Sequence, residues 1–283
     1  MSILQAILLG IVQGLTEFLP ISSTAHLILV SKLLQLDQKL TPEQLTGFVA
    51  VIQLGTVAAL VVYFFPDLWS IARGFLADNL AWMQGAVRLG EPARMGWLII
   101  IGSLPVVIFG FGFKQVIEGA LTKNLYVIAG ALVGLALVLT VAELVGSRRL
   151  KLEDLTWAHA LAIGFGQALA LIPGASRSGT TITAGLLLGL DRATAARFSF
   201  LLCVPALVGA GLLQFVREVK DFDASMLLAT AIATVVSGIT GYAAIAFLLY
   251  FLKTHSMFVF VVYRLIVGGL IFALLAANRL SPA

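Results

Sequence analysis

The stretch Gln13-Gly-Leu-Thr-Glu17-Phe-Leu-Pro20-Ile-Ser22-Ser23-Thr24-Ala-His26 sets a proline, three consecutive hydroxyls, a carboxylate and an imidazole inside an otherwise oily run. Proline has no N–H to give a helix and pushes the residue before it out of the helical region. An apolar helix arriving from residue 3 must therefore stop near Phe18. The hydroxyls that follow are N-cap residues for a new helix. A second string, Pro173-Gly-Ala-Ser176-Arg177-Ser178-Gly179-Thr180-Thr181, repeats the design. A helix N-terminus offers free N–H groups and the positive end of a dipole, so it attracts anions. Two such ends, with Arg177 and His26 beside them, suit a phosphate group.

The rest of the chain supplies the setting. Of its 283 residues, 60% are hydrophobic and only 11% are charged. A mean hydropathy of +1.04 excludes an ordinary soluble domain. Apolar runs of about 20 residues, the length that crosses hydrocarbon, recur along it. They are continuous rather than alternating, which argues against a β-barrel. The formal charge of +4 is spread over loops, so nucleic-acid binding is not predicted. Cys203 is the single cysteine and permits no internal disulfide. The opening MSILQAILLG has no charged leader and no cleavage signature, so a removable signal peptide is not expected.

Segments 3–17 and 22–35 flank the first break. At about 14 residues each they reach roughly 21 Å, short of about 30 Å of hydrocarbon. A re-entrant hairpin fits them. Full spans are predicted near 48–65, 96–113 and 125–145, with 66–95 an interfacial segment carrying Trp69, Arg73, Trp82 and Arg88. The pattern then recurs as a short pair, 158–172 and 177–190, followed by spans near 197–216, 225–250 and 257–280. At an offset of 154, Gly10 falls on Gly164, Gln13 on Gln167 and Ser22 on Ser176. The expected fold is an all-α polytopic membrane protein in one integral domain, 1–283. Its repeat halves lie near 1–146 and 156–283, each a broken-helix hairpin plus three crossings. An odd number of crossings inverts the second half, and broken helices meeting at mid-membrane are the usual site in such folds. Lysines and arginines divide seven against nine between the two sides, a weak bias that places the side carrying Arg73, Arg148 and Lys253 in the cytoplasm.

Ionisable groups within apolar segments are costly and usually functional or firmly paired. Here they are Glu17, His26, Arg177 and Arg264, extended by the amides Gln13, Gln53 and Gln167. Gln13 and Glu17, four apart, share a helix face and can reach a divalent cation or hold His26. Ser22, Ser23 and Thr24 are N-caps in the plainest reading. His26, three residues after Ser23, adds a base beside a hydroxyl, the arrangement that activates a serine nucleophile, with Glu17 to orient it; direct attack by His26, or by water it activates, is the alternative. Arg177, between Ser176 and Ser178 and close to Gly179, can grip phosphate oxygens in a fork, or pair with Glu17. Arg264 either lines the cavity or snorkels. His159 and His255 lie at span ends, and Asp191, Arg192 and Arg197 are read as a solvated loop network.

The strings QGLTEFLPISSTAH (13–26) and PGASRSG (173–179) resemble the two signature motifs of the undecaprenyl-pyrophosphate phosphatases, the bacitracin-resistance membrane family. FVAVIQLGT (48–56), RFSFLLCVP (197–205) and VYR (262–264) extend the resemblance. It implies a multi-pass protein of the bacterial inner membrane that removes the terminal phosphate of undecaprenyl diphosphate and so recycles the cell-wall lipid carrier. It also implies dependence on a divalent cation, Mg2+ or Ca2+, for which Gln13 and Glu17 are the candidate ligands. Many members carry Glu where Gln13 stands, and Gly where Ala25 stands. The implied catalytic set is Glu17, Ser23, His26 and Arg177. Ser22, Thr24, Gln53, Ser176, Ser178, Gly179 and Thr180 are the candidate substrate contacts. The expected partners are a polyprenyl diphosphate lipid and the bilayer, with a homo-oligomer left open. A flippase or secondary transporter is the rival reading, since inverted repeats with broken helices serve those too.

Overall fold

The computed structural model describes residues 1–36, 38–84, 90–113, 119, 124–218 and 222–282. Among these the regular structure is helical: α1 Ile3–Phe18, α2 Ser23–Leu33, α3 Pro42–Tyr63, α4 Phe65–Met83, α5 Glu91–Gly112, α6 Leu125–Val145, α7 Trp157–Leu169, α8 Arg177–Leu187, α9 Arg192–Glu218, α10 Ala224–Phe251 and α11 Phe258–Ala276. Six of them, α3, α5, α6, α9, α10 and α11, are long and apolar enough to cross a membrane. Side chains such as Leu137, Val141, Ile239 and Ile266 stand exposed on them, as lipid-facing groups do.

Local chemistry starts these helices where the chain must turn. Ser2 with Gln5, Thr41 with Gln44 and Thr156 with His159 form capping boxes at α1, α3 and α7, and Asp223 caps α10 through Met226 N. The hairpin arms α1, α2, α7 and α8 have 16, 11, 13 and 11 residues. The longest reaches about 24 Å, so none spans the hydrocarbon alone. Helix α4 buries no side chain and leaves Trp69 and Trp82 outward, with the Arg73 guanidinium 5.9 Å from the Trp69 ring. That is the amphipathic character predicted for 66–95. Residues 85–89, and Arg88 with them, lie outside the described residues.

Helix packing places both breaks at the centre. Helix α1 lies along α10, and α7 lies along α5, each through small residues. A Cβ on Gly10 would stand 3.1 Å from Ala233 Cα, and one on Gly164 3.1 Å from Gly102 Cα. Such close approach of backbones is how membrane helices gain packing energy without a hydrophobic drive between them. Phe18, at the end of α1, packs edge-on against Phe200 of α9 at 5.5 Å, and Phe64, between α3 and α4, closes on the same ring at 6.0 Å. This aromatic group fixes the turn that carries Glu17.

The second break depends on Gly174, which sits at φ +89 with Ile128 backbone against the place a Cβ would occupy. Gly174→Ala is expected to cost about 2 kcal/mol through strain and the shift it forces on α6. A lowered unfolding temperature in detergent would show it.

Candidate active site

The first tip forms because α1 cannot continue through Pro20. Leu19 is extended at φ −67, ψ 142, and Ser22 caps α2 from the unusual φ of 75. Its hydroxyl accepts from Ala25 N at 3.5 Å. At the second tip Ser176 caps α8 from φ 69, ψ 109 and accepts from Gly179 N at 3.2 Å. Two serines thus hold the same left-handed strain at corresponding places, each offset by its capping bond.

These tips meet. The Glu17 carboxylate receives donors from four helices. Gln13 Nε2 donates to Oε2 at 3.0 Å and the Ser23 hydroxyl donates to the same oxygen at 2.8 Å. Gln53 Nε2, from α3, donates to Oε1 at 3.3 Å, and Arg177 Nη2 forms an ion pair there. The Ser178 hydroxyl donates to Leu19 O at 3.1 Å, a second tie between the breaks.

A cavity of about 840 Å³ opens beside this group. Gln13, Glu17, Ser23, Gln53, Ser176 and Arg177 give it a polar end, to which Ser22 and Thr24 also belong. Val106, Val107, Phe111 and Leu213 give it an apolar wall. The first turns of α2 and α8 both border it, so their N–H groups and dipoles favour an anion there. A headgroup carrying phosphates fits the polar end, and a hydrocarbon tail fits the wall.

Other candidates lie elsewhere. The Thr180 hydroxyl donates back to Arg177 O at 3.1 Å, and its side chain borders a separate apolar pocket of about 650 Å³. Gly179 makes room for Arg264: a Cβ there would come within 2.6 Å of Nη1. Ser178 serves the tie to Leu19 and does not line the cavity.

His26 differs most from expectation. Its ring is not on Ser23. Nδ1 lies 2.7 Å from Ser22 O and Nε2 lies 2.7 Å from the Tyr263 hydroxyl, with the two rings stacked. A carbonyl only accepts, so Nδ1 carries a proton in the neutral ring and Nε2 accepts from Tyr263. Tyr263 stands in the VYR motif, but nothing in its local sequence marks it as the partner of His26.

Arg264 neither lines the cavity nor snorkels. It is 1% exposed, and its guanidinium donates to Pro20 O at 3.3 Å, Gly174 O at 3.4 Å and Ala175 O at 3.0 Å, carbonyls left over by the two breaks. It donates as well to Leu132 O at 3.2 Å and Ala131 O at 3.3 Å of α6. One cation thus ties both tips to α6.

The loop network is solvated at Arg197 and at the Lys151–Asp191 pair, as expected, and is buried only where Arg192 meets Glu143. Arg192 pairs with Glu143, which is buried at the end of α6, and Arg148 adds a contact at 3.8 Å. Lys151 reaches Asp191 at 2.7 Å and Arg197 reaches Asp67 at 2.6 Å. Glu143 escaped the sequence reading because it stands in the last turn of a span, where a carboxylate is normally wet. The Asp191 bond raises the Lys151 pKa above its usual value.

A family model described as "Bacitracin resistance protein BacA" matches residues 6–270. A curated undecaprenyl-diphosphatase from Syntrophobacter fumaroxidans is 51% identical over 270 residues, covering 95% of this chain and 96% of the relative. Another of that name from Chlorobium limicola is 47% identical across 99% of both chains. A third, from Chloroherpeton thalassium, is 46% identical across 99% of both.

Proposed function

The chain belongs to the bacitracin resistance protein BacA family, and on that footing we propose that it hydrolyses the terminal phosphate of undecaprenyl diphosphate within the bacterial inner membrane. The product, undecaprenyl phosphate, is the lipid carrier returned to cell-wall synthesis. One observation supports this most: the Ser23 hydroxyl donates to Glu17 in the lining of a cavity that Arg177 also lines.

In this reading the Ser23 oxygen attacks the terminal phosphorus and its proton passes to Glu17 Oε2. The bond from that phosphorus to the bridging oxygen breaks, and undecaprenyl phosphate leaves. Water then cleaves the phosphoserine and frees inorganic phosphate. Arg177 turns from Glu17 toward the substrate and, with the N–H groups of α2 and α8, stabilises charge on the equatorial oxygens, where most phosphoryl-transfer catalysis lies. His26 acts as base only if its ring leaves Ser22 O and Tyr263. In the geometry described, Glu17 is the nearer acceptor for the serine proton.

A divalent cation, Mg2+ or Ca2+, is part of the proposal. Among the described residues no three His, Cys, Asp or Glu side chains form a cage. Gln13 Oε1 is buried without a hydrogen-bond partner, however, and with Glu17 it offers the hard oxygen donors such an ion takes alongside substrate phosphates. The ion would neutralise charge on the diphosphate.

An inverted repeat is also proposed. What supports it is the matching strain at Ser22 and Ser176 and the crossed packing, in which the first short helix of each half lies on the middle span of the other.

Phosphate release from undecaprenyl diphosphate by the purified chain in detergent, with no gradient, is the test. The parent is expected to turn over. Arg177→Lys is expected to lose roughly 10²–10³-fold in kcat, since an ammonium cannot make the fork contact. A parent that releases no phosphate, or a lysine variant with parental kinetics, would contradict the proposal.

A further inference from the structure

Gln167 occupies in the second half the position Gln13 holds in the first. It is 1% exposed, and both Oε1 and Nε2 are buried without a hydrogen-bond partner. An unpaired amide at membrane depth is costly, and such groups persist where a ligand completes them. Its side chain lines the same cavity as Glu17, Ser23 and Arg177. The neighbours Gly166, Ala168 and Leu169 face the apolar pocket instead, so the last turn of α7 divides oily space from polar space and turns its one amide toward the polar side. Gln13 spends its Nε2 on Glu17 at 3.0 Å. Four residues after Gln167 stands Leu171, and the second hairpin has no carboxylate to take the amide.

The location of Gln167 narrows what it can hold. Helix α7 follows α5 from the Gly102–Gly164 approach to the Phe109–Phe165 ring pair at 6.1 Å. Gln167 therefore lies level with the part of α5 that supplies the apolar wall, between that wall and the donors of the second tip. Ser23 and Gln167 line one cavity, so a lipid diphosphate with its terminal phosphorus at Ser23 has in Gln167 an unpaired amide for its other phosphate, the one bonded to the tail.

We propose that Gln167 binds the phosphate that stays on the lipid, donating from Nε2 to its non-bridging oxygens. This rests on the diphosphatase reading above and adds to it a subsite shared by substrate and product.

The test compares the parent with Gln167→Met and Gln167→Glu in detergent. It measures phosphate release from undecaprenyl diphosphate, inhibition by undecaprenyl phosphate, the Mg2+ concentration for half-activity, and the unfolding temperature. Methionine fills the volume but removes the donor. KM and the product inhibition constant are each expected to rise about tenfold, with kcat falling far less, the pattern of lost uniform binding. Its unfolding temperature should hold or rise, because an orphan polar group has been removed. Glutamate sets a carboxylate against the phosphate and should weaken both constants further. Unchanged KM and product inhibition would overturn the assignment. So would a lowered unfolding temperature with KM intact, which marks a structural amide, or a shift confined to the Mg2+ requirement, which marks an oxygen ligand to the ion. A parent that releases no phosphate is a separate result and would remove the underlying reading and this subsite together.

Discussion

Glu17→Gln is expected to lower kcat by roughly 10³-fold while KM stays level or falls. The carboxylate oxygen that accepts from Ser23 becomes part of an amide that takes no proton. The ion pair with Arg177 goes too, and a guanidinium freed of its counter-charge meets the diphosphate more readily. The substitution keeps the shape of the side chain, and its remaining carbonyl oxygen can still accept from Gln13 or Gln53, so the fold should survive. Breaking a buried pair nonetheless costs about 3–5 kcal/mol when one charge is left unmatched. Arg177, with its side chain 20% exposed, reaches the cavity and recovers part of that from water. Steady-state kinetics beside a melting curve separate the two effects. A glutamine variant within a few-fold of the parental kcat would show that Glu17 takes no proton in the reaction.

Arg264→Met is expected to act the other way, on the fold first and on turnover through it. Removing the guanidinium orphans the carbonyls of Pro20, Gly174 and Ala175, and at membrane depth no bulk water replaces it. Each unsatisfied group costs about 1–3 kcal/mol, and with partial relaxation a net loss of about 4 kcal/mol is expected. That corresponds to a drop of roughly 10 °C in unfolding temperature. Activity should fall with the tips no longer held in register. Arg264→Lys should recover little, because an ammonium is a point donor and cannot span both breaks and α6. Parental stability in both variants would show that the tips are held by something else.

How much of this was legible beforehand follows from where each signal resides. The breaks could be read because Pro20 and Pro173 are each followed within three residues by a capping serine; proline alone does not stop a helix here, since Pro105 and Pro205 lie inside α5 and α9. Gln13 and Glu17 could be placed on one helix face because four residues make about one helical turn, but that spacing does not show their bond to each other, at 3.0 Å. Six spans followed from length and apolarity, with boundaries displaced by a few residues, as at α3, which begins at Pro42 rather than 48.

Contacts between distant segments were not readable in the same way. Spacing suggested His26 beside Ser23. The left-handed cap at Ser22 instead turns Ser23 toward α1 and leaves His26 facing α11, where Tyr263 lies 237 residues away. Likewise, nothing local in VYR shows that Arg264 answers carbonyls at residues 20, 174 and 175. That need arises only once the two breaks have been brought together.

The most direct measurement is the fate of the terminal phosphoryl group. Undecaprenyl diphosphate labelled in that group is mixed with the enzyme, quenched within a turnover, and the protein is digested and mapped. Label stable to acid on the peptide bearing Ser23, and missing from Ser23→Ala, is the predicted result. Label that acid removes and base preserves on that same peptide, which also carries His26, or parental turnover by Ser23→Ala, would contradict a serine nucleophile held by Glu17 between the two tips.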